Sequence, residues 1–454
     1  MTIQKSPTEL GTQKVGKLLL QYALPAIIAM TASSLYNMVD SIFIGHGVGT
    51  MAISGLALTF PLMNLAAAFG SLVGVGAATL ASVKLGQKDY TTARQVLGNV
   101  VVLNIIIGIL FTIVALIFLN PILYFFGASD QTRPYAYDYM YIILLGNVVT
   151  HLYFGLNAIL RVSGYPKKAM YATIFTVVIN TILDPIFIYW FGWGIQGAAI
   201  ATVLGQLLAL LWITKQFANP NEVIHFTRGI FHLKKRIVID SLSIGMSPFL
   251  MNLAATFVVL LINQGLLQHG GDIAIGAYGI VNRFAFMFVM IVMGINQGMQ
   301  PIAGYNFGAL QYDRVTRVLK LSIYVATCIL TVGFVVGMLF PDTAAGIFTS
   351  DQKLIDLTAE GMRIVMVTYP IIGFQMVTAN FFQSIGMAGK AIFLSLTRQL
   401  LFLIPCLLIL PHYYGTIGVW ASMPAADLAA SITTAVMLWW QFRQFKRGKV
   451  VNRL

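Results

Sequence analysis

Charge is scarce in this chain. Only 9% of its 454 residues are Asp, Glu, Lys or Arg, against roughly 25% in soluble domains. That scarcity excludes a soluble fold, and a 58% hydrophobic content with a mean hydropathy of +0.82 points the same way. Cysteine is nearly absent. Cys328 and Cys406 both sit in apolar runs with no CxxC spacing, which excludes a disulfide framework and a thiolate metal site. No HExxH, GxSxG or paired His occurs, so an intramembrane enzyme has no nucleophile–base pair or metal cluster to work with. Without a GxxxxGK[ST] loop there is no phosphate cradle for an ATP-driven pump. No cleavable signal peptide is expected, because the chain opens on a polar stretch and its first apolar segment is too long for an h-region.

What the chain does have is long apolar runs from end to end. They do not alternate as barrel strands do, and each reaches the roughly 20 residues that a helix needs to cross a bilayer. Twelve transmembrane helices are predicted, near 17–44, 51–83, 95–119, 135–161, 168–190, 194–214, 237–267, 273–306, 315–340, 355–385, 391–411 and 415–442. This is an all-α polytopic membrane protein. With the N-terminus in the cytoplasm, 24 of the 28 Lys and Arg fall on the inner side, from Lys5, Lys14 and Lys17 to Arg443, Lys446, Arg447, Lys449 and Arg453. Arg133, Lys353 and Arg363 fall outside, and Arg283 lies within a helix. The positive-inside rule then places both termini in the cytoplasm. It also accounts for the net charge of +13, so no nucleic-acid partner is expected.

The chain repeats itself. "VKLGQKDYTTARQVL" at 83–97 matches "YNFGALQYDRVTRVL" at 305–319, "SGYPKKA" at 163–169 matches "IGMAGKA" at 385–391, and "WGIQGAAIA" at 193–201 matches "YGTIGVWAS" at 414–422. The offset of 222, 222 and 221 spans six helices, an even number, so the halves share one orientation. The expected organisation is a first lobe at 1–215, a cytoplasmic linker at 216–236 and a second lobe at 237–454. Two such bundles suit a carrier that works by alternating access.

A few polar groups stand inside the predicted helices. An aspartate at a helix centre costs roughly 2.5–3.5 kcal/mol on insertion scales, so it signals function. Asp40 shares a face with Ser33, Tyr36 and Asn37 at three- and four-residue spacing. Asp184 follows Thr176 and Asn180 at spacing four. Each acid is predicted about 5–6 residues from the outer end of its helix, roughly 8–9 Å, with Tyr139 near that level and Asn180 and Thr202 deeper. Such a pair can hold a proton, because desolvation and like-charge repulsion both oppose ionisation. With hydroxyl and amide oxygens it can instead coordinate a hard cation, and Asp40, Asp184 and Asn180 would be the sodium ligands. The residues leave both open. At the repeat offset Asp40 falls on Ile262 and Asp184 on Cys406, so the pair belongs to the first lobe alone. Pro25 and Pro185 each remove a helix hydrogen bond and are expected to kink their helices. In the second lobe Arg283 needs a partner, with Asp427 the nearest by type, and Arg398 is read as marking a cytoplasmic helix end. Tyr36, Asn37, Gln300, Arg283, Gln375 and Asn380 are candidate substrate-binding residues.

"LPAIIAMTASSLYNMVDSIFIGHGVG", "PLMNL", "SVKLGQKD", "QPIAGYNFGA" and the 6+6 repeat together resemble the multidrug and toxic compound extrusion (MATE) transporters, across essentially the whole chain. The likeness is to the bacterial branch containing DinF and MepA. It implies a V-shaped fold of two six-helix lobes, residence in the bacterial cytoplasmic membrane as a monomer in the lipid bilayer, and no cofactor beyond the coupling ion. It implies export of cationic amphipathic drugs or dyes in exchange for sodium or protons. It also implies a coupling network at Asp40, Tyr139, Asn180, Asp184 and Thr202, with Asn157 nearer the inner end of its helix. The NorM-like branch uses acids of the seventh and tenth helices. Here those helices carry acids only at their ends, at Asp240, Asp356 and Glu360, so a second-lobe ion site is not expected. The alternative is a flippase or exporter of lipid-linked sugars from the same superfamily, which would need a basic cleft, and only Arg283 is placed to supply one.

Overall fold

The structure, a computed structural model, describes residues 9–446. Lys5, Arg447, Lys449 and Arg453, counted above among the inner charges, lie outside the described residues, as do both termini. The described residues are helical with no β-strand. Their spans are α1 (Val15–Gly47), α2 (Thr50–Gly86), α3 (Tyr90–Ile117), α4 (Arg133–Leu145 continued by Asn147–Val162), α5 (Pro166–Pro185 continued by the π-helical turn Ile186–Trp190) and α6 (Gly194–Phe217). After a connection come α7 (Lys235–Gly271), α8 (Ile273–Gly308), α9 (Tyr312–Leu339) and α10 (Gln352–Met366 continued by Tyr369–Ser384). The last apolar stretch, Ala388–Phe445, is 58 residues long, about 87 Å of helix at 1.5 Å per residue, and a non-helical Gly415 divides it. Its two parts are α11 (388–414) and α12 (416–446). The twelve expected spans are all present among the described residues.

The helices run a few residues beyond the apolar runs that announce them. α3 begins at Tyr90 rather than near 95 because Asp89 caps it, its Oδ1 accepting from the Thr92 N–H at 3.0 Å. Partial burial works to raise the affinity of that carboxyl for its proton, but the Thr92 hydrogen bonds and the charges of Lys84 and Lys234 prevail and hold it below the usual carboxylate range. α4 and α10 each bend by 54°. In α4 the bend falls at Gly146, where a Cβ would stand 2.4 Å from Val203. In α10 it precedes Pro370, whose ring has no N–H to continue the ladder.

The backbone repeats as the sequence does. Left-handed conformations recur in pairs: Gly49 and Gly271, Lys88 and Leu310, Gly164 and Gly386, Gly194 and Gly415. The first three pairs are 222 residues apart and the last 221. Lys88 (φ +60°) and Leu310 (φ +59°) are unusual, because a Cβ is crowded there. Leu310 is 61% exposed, so its side chain contributes little packing. Leu310→Gly is expected to stabilise the protein by about 0.5–1 kcal/mol, measured as a raised melting temperature in detergent.

Two compact units divide the chain. Among the described residues one holds 9–13 and 28–249, the other 14–27 and 250–446. The borders fall inside helices: α1 contributes its first part to the second unit, and α7 its first part to the first unit. Glycine explains how each guest segment packs. In the first unit a Cβ on Gly76 would lie 1.8 Å from the Ser241 carbonyl oxygen, and one on Gly245 1.7 Å from that of Leu72, so α2 and α7 touch backbone to backbone. In the second unit a Cβ on Gly298 would lie 2.5 Å from Ala23 Cα. Gly298 is the repeat partner of Gly76.

The connection between α6 and α7 is tied to the first unit by side chains that reach its backbone. Asn99 donates to the carbonyls of His232 (3.1 Å) and Ile230 (3.4 Å) and accepts from Lys234 N at 3.0 Å. Arg94 Nε donates to the Val223 carbonyl at 2.9 Å, and Lys168 meets Glu222 at 3.8 Å.

Candidate ion-coupling site

Four elements of the first unit converge on one buried polar cluster. α1 supplies Tyr36 and Asp40, the first segment of α4 supplies Tyr139, α5 supplies Asn180 and Asp184, and α6 supplies Thr202. Small residues on α6 make the approach close enough. A Cβ on Gly205 would stand 3.2 Å from the Thr176 carbonyl oxygen, and one on Gly197 2.9 Å from Phe187 in the π-helical turn. That turn follows Pro185, whose missing N–H leaves the α-helical ladder one bond short just after Asp184. The chain widens there instead of sharply kinking.

Thr202 is the hub. Its hydroxyl lies 2.8 Å from Tyr36 Oη, and Tyr139 stands within electrostatic reach of both acids. Asn180, its amide oriented so that each end meets a matching group, accepts from Thr202 Oγ1 at 3.2 Å and from Tyr36 Oη at 3.3 Å. Its Nδ2 then donates to Asp184 Oδ2 at 2.9 Å. The carboxyl groups of Asp40 and Asp184 lie within each other's electrostatic reach. Asp40 is 5% exposed and Asp184 is fully buried. Among the described residues Oδ1 of each acid has no partner, an arrangement that native interiors rarely leave without a proton, ion or water to answer it. Ile44, Met140, Ile188, Ile195 and Ala198 form an apolar core around Tyr139, so the polar groups sit against hydrocarbon.

The other candidates are placed elsewhere. Asn157 is buried further along α4, its Nδ2 donating to the Ala169 carbonyl at 3.0 Å and its Oδ1 accepting from Arg161 at 3.4 Å. Neither bond reaches the acid pair. Asn37 is exposed, and its carbonyl accepts from Ser41 Oγ at 2.8 Å. Tyr36, expected as a substrate contact, is bonded into the acid cluster. Gln300 on α8 and Gln375 on α10 are buried, Asn380 is half-buried and Arg283 is exposed, all in the second unit. Among the described residues no group of three or more His, Cys, Asp or Glu could hold a metal ion.

One expectation is overturned. Asp427 pairs with Arg398 rather than Arg283: Arg398 Nε donates to Asp427 Oδ1 at 2.5 Å, and Thr368 Oγ1 donates to Oδ2 at 3.3 Å. Arg398 therefore does not mark a helix end. α11 starts at Ala388, three residues earlier than its apolar run suggests, and Arg398 lies ten residues inside it. A basic residue near the first polar edge of an apolar run reads as a terminus, and only the long spacing from Lys390 hinted otherwise.

A bent helical unit that occurs twice along the chain, with a buried acid pair in the first copy, has the make-up of a multi-pass membrane transporter. Comparison with known proteins agrees. The family model described as MatE matches residues 25–186 and 248–408, one segment in each repeat. The chain belongs to the MATE family. It is 28% identical over 417 residues to the multidrug export protein MepA of Staphylococcus aureus (strain MRSA252), covering 92% of each, and 28% identical to that of Staphylococcus haemolyticus, covering 93% of each. Among solved structures it is similar to the MATE multidrug transporter DinF-BH, at 36% identity and a TM-score of 0.88 over 96% of this chain and 98% of that one. It is also similar to a MATE transporter of the MOP superfamily in an outward-facing conformation, at 25% identity and a TM-score of 0.91 over 99% and 100%.

Proposed function

We propose that this protein exports cationic amphipathic compounds from the bacterial cytoplasm by alternating access, in exchange for protons entering through the Asp40–Asp184 pair. The observation that carries the reading is the burial of two neighbouring carboxyl groups, with Oδ1 of each left without a partner among the described residues. Two ionised carboxylates repel each other in so dry a place, and a proton on one of them relieves that repulsion. A sodium site built on Asp40, Asp184 and Asn180 is less well supported, because the amide oxygen of Asn180 is turned to Thr202 and Tyr36 and presents its N–H₂ to the acid. A cationic substrate is the natural competitor of that proton, since each neutralises the same buried charge. The multidrug export named for MepA and the multidrug transport named for DinF-BH support the substrate class.

Ethidium transport in proteoliposomes, with proton and sodium gradients imposed separately, tests this. A proton gradient alone is expected to drive accumulation, about tenfold per pH unit for each proton exchanged, since 1.4 kcal/mol is a factor of ten. A response to sodium alone transfers the site to that ion, and transport indifferent to both gradients rules out exchange.

A further inference from the structure

The repeat carries a lysine at the same place in each unit, but only one of the two is neutralised. Lys168, near the start of α5, meets Glu222 at 3.8 Å and donates to Gln216 Oε1 at 3.0 Å. Its ammonium lies 4.2 Å from the centre of the Tyr165 ring. The repeat partner, 222 residues on, is Lys390 near the start of α11. Lys390 keeps the same kinds of neutral contact. Its Nζ donates to Gln441 Oε1 and lies 4.6 Å from the Trp440 ring centre and 5.4 Å from that of Phe382. The carboxylate is missing. The repeat puts Gln444 where Glu222 stands, and among the described residues no acid pairs with Lys390.

A second cation follows on α12, where the Arg443 guanidinium lies 3.5 Å from the centre of the Trp439 ring. Each cation is thus laid on a tryptophan, an attraction that fixes it without cancelling its charge. No Asp or Glu follows Asp427 in the chain, whereas Arg443, Lys446, Arg447, Lys449 and Arg453 all do. Leading up to these cations, one face of α12 is apolar and open. Leu428, Ile432, Val436, Trp439 and Trp440 recur at three- and four-residue spacing and are 46–67% exposed. From Leu428 to Trp440 is about 18 Å of helix at 1.5 Å per residue, close to the ~15 Å of hydrocarbon in one leaflet. The basic end of that face is the one that the positive-inside rule assigns to the cytoplasm, and tryptophans concentrate at such interfaces. A leaflet-long apolar face ending in two uncompensated cations matches an anionic lipid. A free anion would meet the cations and leave the apolar face unused.

We infer that Lys390 and Arg443 form a binding site for an anionic phospholipid of the cytoplasmic leaflet, its acyl chains lying along the Leu428–Trp440 face. The lipid phosphate takes the part that the Glu222 carboxylate plays for Lys168 in the first unit. The assignment does not depend on what the protein transports.

Phospholipids brominated on their acyl chains quench tryptophan on contact. In the full-length chain with Trp212→Phe, the tryptophans at the cytoplasmic end are Trp439 and Trp440. In phosphatidylcholine vesicles, brominated phosphatidylglycerol is expected to reach half-maximal quenching at a mole fraction about tenfold lower than brominated phosphatidylcholine does. Lys390→Gln combined with Arg443→Gln is expected to abolish that preference. Gln441→Glu keeps both cations and the size of the side chain it replaces, but gives Lys390 an internal carboxylate. It is expected to lower the preference about fivefold, which separates loss of the site from misfolding. Equal quenching by the two lipids before these substitutions overturns the assignment, as does a full preference that survives in either variant. Relief of the quenching by millimolar inorganic phosphate overturns it in favour of a free anion.

Discussion

Asp40→Asn is expected to reduce proton-driven ethidium transport to the level of empty vesicles, with the protein still present in the membrane. The amide matches the carboxyl in size, so packing survives. What is lost is the ability to take up and release a proton, and with it the exchange. Asp184→Asn should do the same from the other member of the pair. Tyr139→Phe is the graded counterpart. It removes one buried hydroxyl from beside the acids and leaves both in place, so a loss of about fivefold is expected, equivalent to roughly 1 kcal/mol for one polar group. Resistance to ethidium in a sensitised strain, normalised to membrane-inserted protein, orders the three variants. Full resistance with Asp40→Asn would sink the coupling mechanism.

Gly245→Val should prevent the protein from reaching its folded state. The Cβ alone would sit 1.7 Å from the Leu72 carbonyl oxygen, and the obstacle is backbone rather than a side chain that can rotate away. α2 and α7 would have to part along the whole contact, including Gly76 against Ser241, at a cost of about 4 kcal/mol or more. Gly279 is the control. A Cβ there meets nothing within 4 Å, so Gly279→Ala should raise stability by about 0.5–1 kcal/mol through helix propensity. Monodispersity on fluorescence-detected size exclusion after heating measures both. A well-behaved Gly245→Val protein would contradict the close approach.

Much of this was legible in the residues. Apolar runs mark the spans because lipid demands them, and the 222-residue repeat survives in side chains as well as in left-handed turns. Asp40, Tyr36, Asn180 and Asp184 were traceable because helical spacing puts each set on one face. Thr202 was named only through the family resemblance, since one threonine among many in apolar helices carries no pattern of its own, and its place as the hub had no signal in spacing. It depends on Gly197 and Gly205, whose role is to be small. Arg398 was misread for a related reason: hydropathy reports where polar residues interrupt a run, but not which partner across the bundle neutralises them. The exchange of the first parts of α1 and α7 between units was hidden because contact partners leave no trace in local periodicity.

That exchange has a consequence for the order of synthesis. When the chain has been made as far as α6, the groove on α2 that receives Ser241 and Gly245 is still empty, because its guest has not been translated. The first part of α1, made before almost everything else, waits longer still for Gly294 and Gly298 of α8. Neither six-helix unit can close from its own half of the messenger. The nascent first unit must therefore sit in the membrane with a bare glycine seam until α7 arrives, and ribosomal pausing in the α6–α7 connection would prolong that exposure.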